Sequence, residues 1–320
     1  MTMSACAADG ERPRQAQPHP VRHSPVHHPV HSPVYQDVQR LAPGERPPQF
    51  VVISLDGAGG DDHGWFATLL KAAGRAHAKL TFFLSGVPLH RRQSERLATA
   101  WRHGHELGTY FNGHVCGRRG MGAWRTREWN RRIDQFYALI ENGEKLPFDV
   151  RTAIRGGRTP CRDVHRPSRD AAYRAHGWRY DASATGAPRW PRRNAGLWEF
   201  PLPTLPLHGT RRRVLASDQA LYTAHSHARP AAAGKWPAWR RQTTQTYVSA
   251  VNARLTGDRA PVFIAHRFEN WHGGSYMKAL IDLMTRVCPK PQVRCVSFTE
   301  LTDWLEAQER KTLARLRNSS

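Results

Sequence analysis

The rhythm of polar and apolar residues changes at Gln49. Before it, residues 10–48 are dominated by Pro, His, Arg and Gln, with no sustained apolar period. Within them His23-Ser24-Pro25-Val26-His27, His28-Pro29-Val30 and His31-Ser32-Pro33-Val34 form a degenerate short repeat. Such a stretch buries too little apolar area to offset backbone entropy, so residues 1–48 are expected to be a disordered leader and linker. A His-rich tract is also able to bind transition metals, but a tether is the preferred role. After Gln49, Phe50-Val51-Val52-Ile53-Ser54-Leu55 is the continuous apolar run of a strand buried on both faces. A helix is expected over Trp65 to Arg75, a strand over Lys79 to Leu84, a helix over Ser94 to His103 and a third strand over His105 to Tyr110. Trp129, Ile133, Phe136 and Ile140 recur at helical spacing on one face.

Further along, short strands are expected near Thr152–Ile154, Trp178–Tyr180 and Leu197–Phe200. A helix near Thr243–Leu255 precedes the apolar strand Pro261-Val262-Phe263-Ile264-Ala265. A helix over Tyr276–Val287 leads to a strand over Arg294–Phe298. Ser297 and Glu300 have capping-box spacing for a last helix carrying Leu301, Trp304 and Leu305. Repeated strand-then-helix units with buried strands predict an α/β domain over 49–308, followed by a basic tail over 309–320.

Composition adds charge. The formal net charge is +22, and only seven of the 48 basic residues are Lys, a bias that fits a GC-rich coding sequence. A surface this positive attracts polyanions, either nucleic acid or an anionic cell-wall polymer. No zinc-finger, helix-turn-helix or RNA-binding signature accompanies it, so a specific nucleic-acid role rests on charge alone. No stretch approaches the ~20 apolar residues of a membrane span.

Cys6 lies in the leader, and Cys116, Cys161, Cys288 and Cys295 lie in the body. Four cysteines allow three connectivities; Cys116–Cys161 and Cys288–Cys295 are the expected bridges, and four buried free thiols are the competing reading. Disulfides would imply an oxidising compartment. Met3-Ser4-Ala5-Cys6-Ala7-Ala8 has the form of the tail of a bacterial lipoprotein signal, which predicts a true start upstream and a secreted or cell-envelope protein. An accidental small-residue cluster in a cytoplasmic protein is the alternative.

Leu55-Asp56-Gly57 closes the first strand, and Gly104-His105-Glu106-Leu107-Gly108-Thr109-Tyr110-Phe111-Asn112-Gly113-His114 follows about fifty residues later. Then come Gly156-Gly157-Arg158-Thr159-Pro160-Cys161, Gly177-Trp178-Arg179-Tyr180-Asp181 and Phe268-Glu269-Asn270-Trp271. From about Gln49 to Trp304 this order resembles the polysaccharide deacetylases with a NodB homology domain (carbohydrate esterase family 4), in particular a bacterial, actinobacterial subgroup. The resemblance implies a distorted TIM-like (β/α) barrel, with functional residues at the C-terminal ends of its strands.

It also implies a hydrolase that removes N- or O-acetyl groups from a cell-wall or extracellular polysaccharide through one divalent metal, zinc where the site is retained. Metal binding falls to Asp56 and His114, with Tyr110 where the family has its other His. A phenol, with a pKa near 10, is a poor ligand at neutral pH. Leu55 stands at the position of the catalytic base. Asp61 and Asp62 on the next loop are candidate substitutes, with favourable charge at a helix N-terminus as their structural role. His105 is a remote candidate to replace the missing ligand.

Arg158 matches the arginine that orients the catalytic carboxylate, and with the base gone it is expected to pair with Asp181. At the acid position stand His266 and Arg267. A one-residue shift predicts His266 turned away and Arg267 turned in. Asn112, Trp271 and Tyr276 are candidates to contact sugar. Two functional readings follow: a metal-dependent deacetylase with an unorthodox site, or a protein of this fold that has lost turnover and binds anionic wall polysaccharide.

Overall fold

The computed structural model describes residues 39–319, apart from positions 61, 114, 162 and 163. The His-rich repeat, Cys6, Asp61 and His114 therefore lie outside the described residues. The first half of the chain runs β1 (Gln49–Ala58), α1 (Trp65–Arg75), β2 (Leu80–Leu84), α2 (Arg91–Arg102), β3 (Glu106–Thr109), α3 (Thr126–Glu141), α4 (Val150–Ala153), β4 (Gly156–Gly157), α5 (Arg166–Ala175) and β5 (Tyr180–Asp181). A β-rich stretch follows with β6 (Thr185–Gly186), β7 (Arg192–Asn194), β8 (Leu197–Glu199), β9 (Leu202–Pro206) and β10 (Arg213–Leu215). The chain then closes with α6 (Asp218–Ser226), α7 (Trp236–Thr256), β11 (Val262–Arg267), α8 (Trp271–Val287), β12 (Val293–Val296), α9 (Phe298–Ala307) and α10 (Arg310–Asn318).

The main sheet has the order β11-β1-β2-β3-β4-β5-β8-β7, with β12 also on β1. Every neighbour along it is parallel until β7, which turns antiparallel on β8. The path is open, so the expected α/β class takes the form of a distorted, incomplete (β/α) barrel. A second sheet, β10-β9-β6, flanks it.

Strand alternation decides which side chains can reach the barrel interior. In register, Leu55 lies beside Phe82 and His266, while Asp56 lies beside Phe83 and Arg267. Parallel partners in register point to the same face, so these are two layers of opposite facing. The Leu55 layer packs outward: Phe82 stacks on Phe66 of α1 at 4.8 Å, and His266 meets Tyr247 of α7. The Asp56 layer faces in, where Phe83 stacks on Phe298 at 5.6 Å. On β3 the same alternation puts Glu106, Gly108 and then Tyr110 inside, and turns His105 out.

At the floor of the barrel the Glu106 carboxylate accepts four hydrogen bonds. Thr81 Oγ1 donates at 2.8 Å, Tyr180 OH at 2.8 Å, the Thr299 amide at 3.0 Å and Thr299 Oγ1 at 2.6 Å.

Three local expectations are corrected. The strand expected near Thr152–Ile154 is the short helix α4, started by Asp149 accepting from the Arg151 amide at 2.9 Å. The strand falls instead on Gly156 and Gly157, where a Cβ would sit 2.6 Å from Tyr180 O and 2.3 Å from Thr109 Cγ2. Residues 309–320 are not merely a tail, since α10 buries Leu313 and Leu316. Part of the expected linker also docks on the barrel, with the Leu41 amide donating to Gln308 Oε1 at 3.0 Å.

Both bridges form: Cys116–Cys161 and Cys288–Cys295, with Cα separations of 5.4 and 5.5 Å. The first ties the loop after β3 to the loop after β4, across the C-terminal end of the barrel. No helix among the described residues is long and apolar enough to cross a membrane.

Candidate functional site

A cavity of about 490 Å³ opens at that C-terminal end. Asp56, Tyr110, Arg158 and Arg267 line it from the strand ends, and Ser217, Asp218 and Gln219 from the start of α6. Arg212 and Arg213, both exposed, line its rim at the start of β10, and Ser183 and Thr185 line it from the stretch after β5.

Asp56 is held by Arg158, whose Nη1 donates to Asp56 Oδ1 at 2.6 Å and to Ser54 Oγ at 2.9 Å. Arg158 Nε donates to Ala182 O at 3.0 Å, and its guanidinium carbon sits 5.0 Å from the centre of the Phe83 ring. Both members are buried, so the pair is a fixed charge couple rather than a solvent-screened one. Tyr110 lies directly past β3, its amide bonded to Leu84 O at 2.7 Å. Burial first, and then the Asp56 charge, push its phenol pKa up, opposed by Arg267 and Arg158; Arg267 shares a side-chain hydrogen bond with it. The next residue, Phe111, has φ +60°, an uncommon conformation for a side chain of this size. It turns the chain so that Phe111 packs against Trp129, Tyr173 and Trp178 while Tyr110 stays at the cavity.

Asp218, the first residue of α6, went unremarked in the sequence. Its carboxyl is buried, with Oδ1 accepting from the Gln219 amide at 2.7 Å and Oδ2 from the Arg267 amide at 2.8 Å. Burial pushes its pKa up to about 7, and the Asp56 charge adds to that shift. A bridge between Ser217 and Ala265 delivers it there, since it docks the start of α6 on the end of β11. Ser217-Asp218 before an apolar turn was readable as a helix start. That the carboxyl faces the cavity was not readable, because the bridge is a long-range contact.

The remaining sequence candidates divide. Asp181 does not pair with Arg158; it lies 2.9 Å from Arg169 and accepts from the Ser183 amide at 3.1 Å, below the cavity wall. His266 lies on the outer layer, its Nε2 2.9 Å from Tyr247 OH, and burial lowers its pKa to about 3. Of the two acid-position candidates, Arg267 lines the cavity and His266 does not.

His105 likewise faces out and accepts from the Leu80 amide at 3.0 Å. Asp62 accepts from the Gly64 amide at 2.8 Å and pairs with Arg96, which is the loop and helix-start role. Asn112 packs against Gly86, where a Cβ would lie 2.0 Å from its Oδ1, away from the cavity. Trp271 and Tyr276 miss the cavity as well. Left-handed His272, Gly273 and Gly274 interrupt the first turn of α8, Trp271 stacks on Tyr222 at 4.6 Å, and Tyr276 OH meets His272 Nδ1 at 3.0 Å and His225 Nδ1 at 3.1 Å.

The chemistry of the donor set tests the implied metal. Among the described residues no group of three or more His, Cys, Asp or Glu is placed to hold one, and His114 lies outside them. Asp56 already neutralises a guanidinium, and Tyr110 is a protonated phenol beside a second one. A carboxylate already in an ion pair and a neutral phenol beside a guanidinium are poor donors for a dication, so the described residues do not fit zinc.

No family model and no curated protein matches the chain. Solved structures do. A chain from Mycobacterium smegmatis assigned as a polysaccharide deacetylase superposes with a TM-score of 0.58 at 13% identity, over 83% of this chain and 93% of that one. PuuE allantoinase superposes with a TM-score of 0.54 at 11% identity, over 82% and 95%. The Xyl-CE4 domain of a multidomain xylanase from the hindgut metagenome of Trinervitermes trinervoides follows at 0.48 and 11%, over 81% and 92%. The chain has the NodB-type polysaccharide deacetylase fold. Within that fold its cavity sits where the strand ends converge, with Arg158 and Arg267 among the residues that line it.

Proposed function

We propose that the protein binds a polysaccharide in the mouth cavity, and that metal-assisted amide hydrolysis is not its chemistry. The observation that carries this reading is the Arg158–Asp56 pair at 2.6 Å, which ties up the carboxylate that a metal would need. The fold supports a carbohydrate ligand, as do the hydroxyl-bearing and cationic groups lining the cavity. The two disulfides support an oxidising compartment, and with it a secreted or envelope-attached protein facing its ligand.

The test uses the full chain. Metal content is measured on purified protein, with binding and acetate release measured on chitooligosaccharide, peptidoglycan and acetylated xylan. The expected result is glycan binding with far less than one equivalent of zinc, manganese or cobalt. One tightly held equivalent, together with amide acetate release abolished by Asp56→Ala, would overturn it in favour of a metal-dependent deacetylase.

A further inference from the structure

The cavity holds the parts of an acyl hydrolysis site that its metal-binding ancestry does not supply. The cavity-facing carboxyl at the end of β1, Asp56, is held by Arg158, yet a second carboxyl, Asp218, reaches the same cavity from α6. Its two backbone donors fix it from behind, one on each oxygen, and leave a lone-pair position on each for a further partner. Asp218 hangs from the Arg267 amide, and Arg267 is the register partner of Asp56 and shares a hydrogen bond with Tyr110. So one carboxyl, one guanidinium and one phenol border the same space. The charged and titratable groups acting on Asp218 are Asp56 on β1, Arg267 on β11, Tyr247 on α7 and Tyr276 on α8. Among them only Arg267 is a cation, which makes it the group suited to a developing negative charge.

We propose that Asp218 is the general base of a metal-independent hydrolysis of sugar O-acetyl esters in this cavity, with Arg267 holding the oxyanion. The proposal rests on the polysaccharide-binding reading and adds a reaction to it. In the step, the Asp218 carboxylate takes a proton from water as the water oxygen bonds to the ester carbonyl carbon. The carbonyl electron pair moves to its oxygen, against the Arg267 guanidinium. Collapse breaks the carbon–oxygen bond to the sugar, and the sugar oxygen takes the proton back from Asp218. Ester and water become alcohol and acetic acid, with nothing else consumed.

An ester suits the site better than an amide. Its leaving oxygen departs with one proton from the base, whereas an amide nitrogen is a worse leaving group and its carbonyl is less electrophilic without a metal. A cavity lined by Arg158, Arg212, Arg213 and Arg267 also favours an anionic transition state over the cationic one of glycosidic cleavage. A carboxyl held near neutrality is matched to transferring a proton at physiological pH.

The experiment measures acetate released from O-acetylated xylo-oligosaccharide by the full chain in excess EDTA, beside calorimetric binding of the deacetylated oligosaccharide. Expected is EDTA-resistant release that climbs with pH and levels off above about 7. In D218N release falls at least about 10²-fold, the lower end of what a general base contributes. The same variant keeps its thermal unfolding midpoint or raises it, and binds the deacetylated oligosaccharide within about threefold of wild type, a factor worth under 1 kcal/mol. Release that EDTA abolishes, or that D218N leaves intact, overturns the proposal. Binding without release overturns it too and leaves the polysaccharide-binding reading standing. Neither binding nor release overturns both.

Discussion

Two buried carboxyls, Glu106 at the barrel floor and Asp218 at its mouth, show how the same residue chemistry is put to different uses. Burial pushes both pKa values up. Glu106 sits among four donors drawn from β2, β5 and α9, so every direction around it is spoken for. Asp218 has two backbone donors on its protein side and a cavity on the other. A saturated carboxylate ties elements together and does nothing else. A half-satisfied one beside open space retains the capacity to exchange a proton or a ligand. The contrast separates a structural buried charge from a functional one without reference to how unusual either pKa is.

Breaking the floor should have the largest effect. Glu106→Ala leaves Tyr180, Thr81 and both Thr299 donors unpaired in the core. Each orphaned buried group costs about 1–3 kcal/mol, so a loss of about 5 kcal/mol is expected in urea unfolding. Residual folded protein should still bind glycan, because nothing in the cavity is touched. A variant that unfolds by less than about 1 kcal/mol would mean the floor network is dispensable.

The mouth is tied down differently. The Cys116–Cys161 bridge closes a 45-residue separation and joins two loops that flank the cavity. By chain entropy it is worth about 4 kcal/mol, against about 2 kcal/mol for the seven-residue Cys288–Cys295 loop. Replacing both Cys116 and Cys161 by Ser should lower the unfolding midpoint accordingly. Hydrogen exchange should quicken in the loops after β3 and β4 while β1 and β2 keep their protection. Uniform quickening would show that floor and mouth are one cooperative unit.

A smaller effect separates the two carboxyls by pH. In the unfolded chain Asp218 loses its proton near pH 4, and in the fold near 7. Between those values the folded state holds the extra proton, so stability falls as pH rises through the window and the cost is complete above 7. D218N should abolish that slope, gaining roughly 4 kcal/mol on wild type between pH 4 and pH 8. Parallel stability curves for the two proteins would mean the carboxyl is not buried.

How much of this was legible depends on the range of the interactions. β1, α1, β2 and the capped α9 follow from local periodicity, because each is a long apolar run or an amphipathic stripe. β4 and β5 are two residues long, and their place is set by how closely glycines let neighbouring strands approach. The tail helix α10 was hidden by its charge, since only Leu313 and Leu316 face in. At the site, Asp56, Tyr110, Arg158 and Arg267 were legible because they sit at strand ends in motif order. Trp271 and Tyr276 share that neighbourhood in sequence, but three left-handed residues turn them elsewhere. Asp218 belongs to no strand and no motif. It reaches the cavity only through the Ser217–Ala265 bridge.

The finest comparison is between neighbours on one strand. His266 and Arg267 differ by one position, and the alternation of β11 sends the first to the α7 face and the second into the cavity. His266→Gln keeps a polar partner for Tyr247 and should cost about 1 kcal/mol of stability with no change in glycan affinity. It should also blunt acid unfolding. The neutral His266 holds a folded pKa near 3, so its contribution is lost as pH falls from about 6.5 towards that value. Arg267→Gln should leave stability within about 1 kcal/mol, since the backbone amide on Asp218 survives, yet weaken glycan binding at least about tenfold, near 1.4 kcal/mol. Calorimetric titration of the two variants side by side decides it. Equal affinities would mean that the cavity recognises its ligand through the rim arginines and not through the strand end.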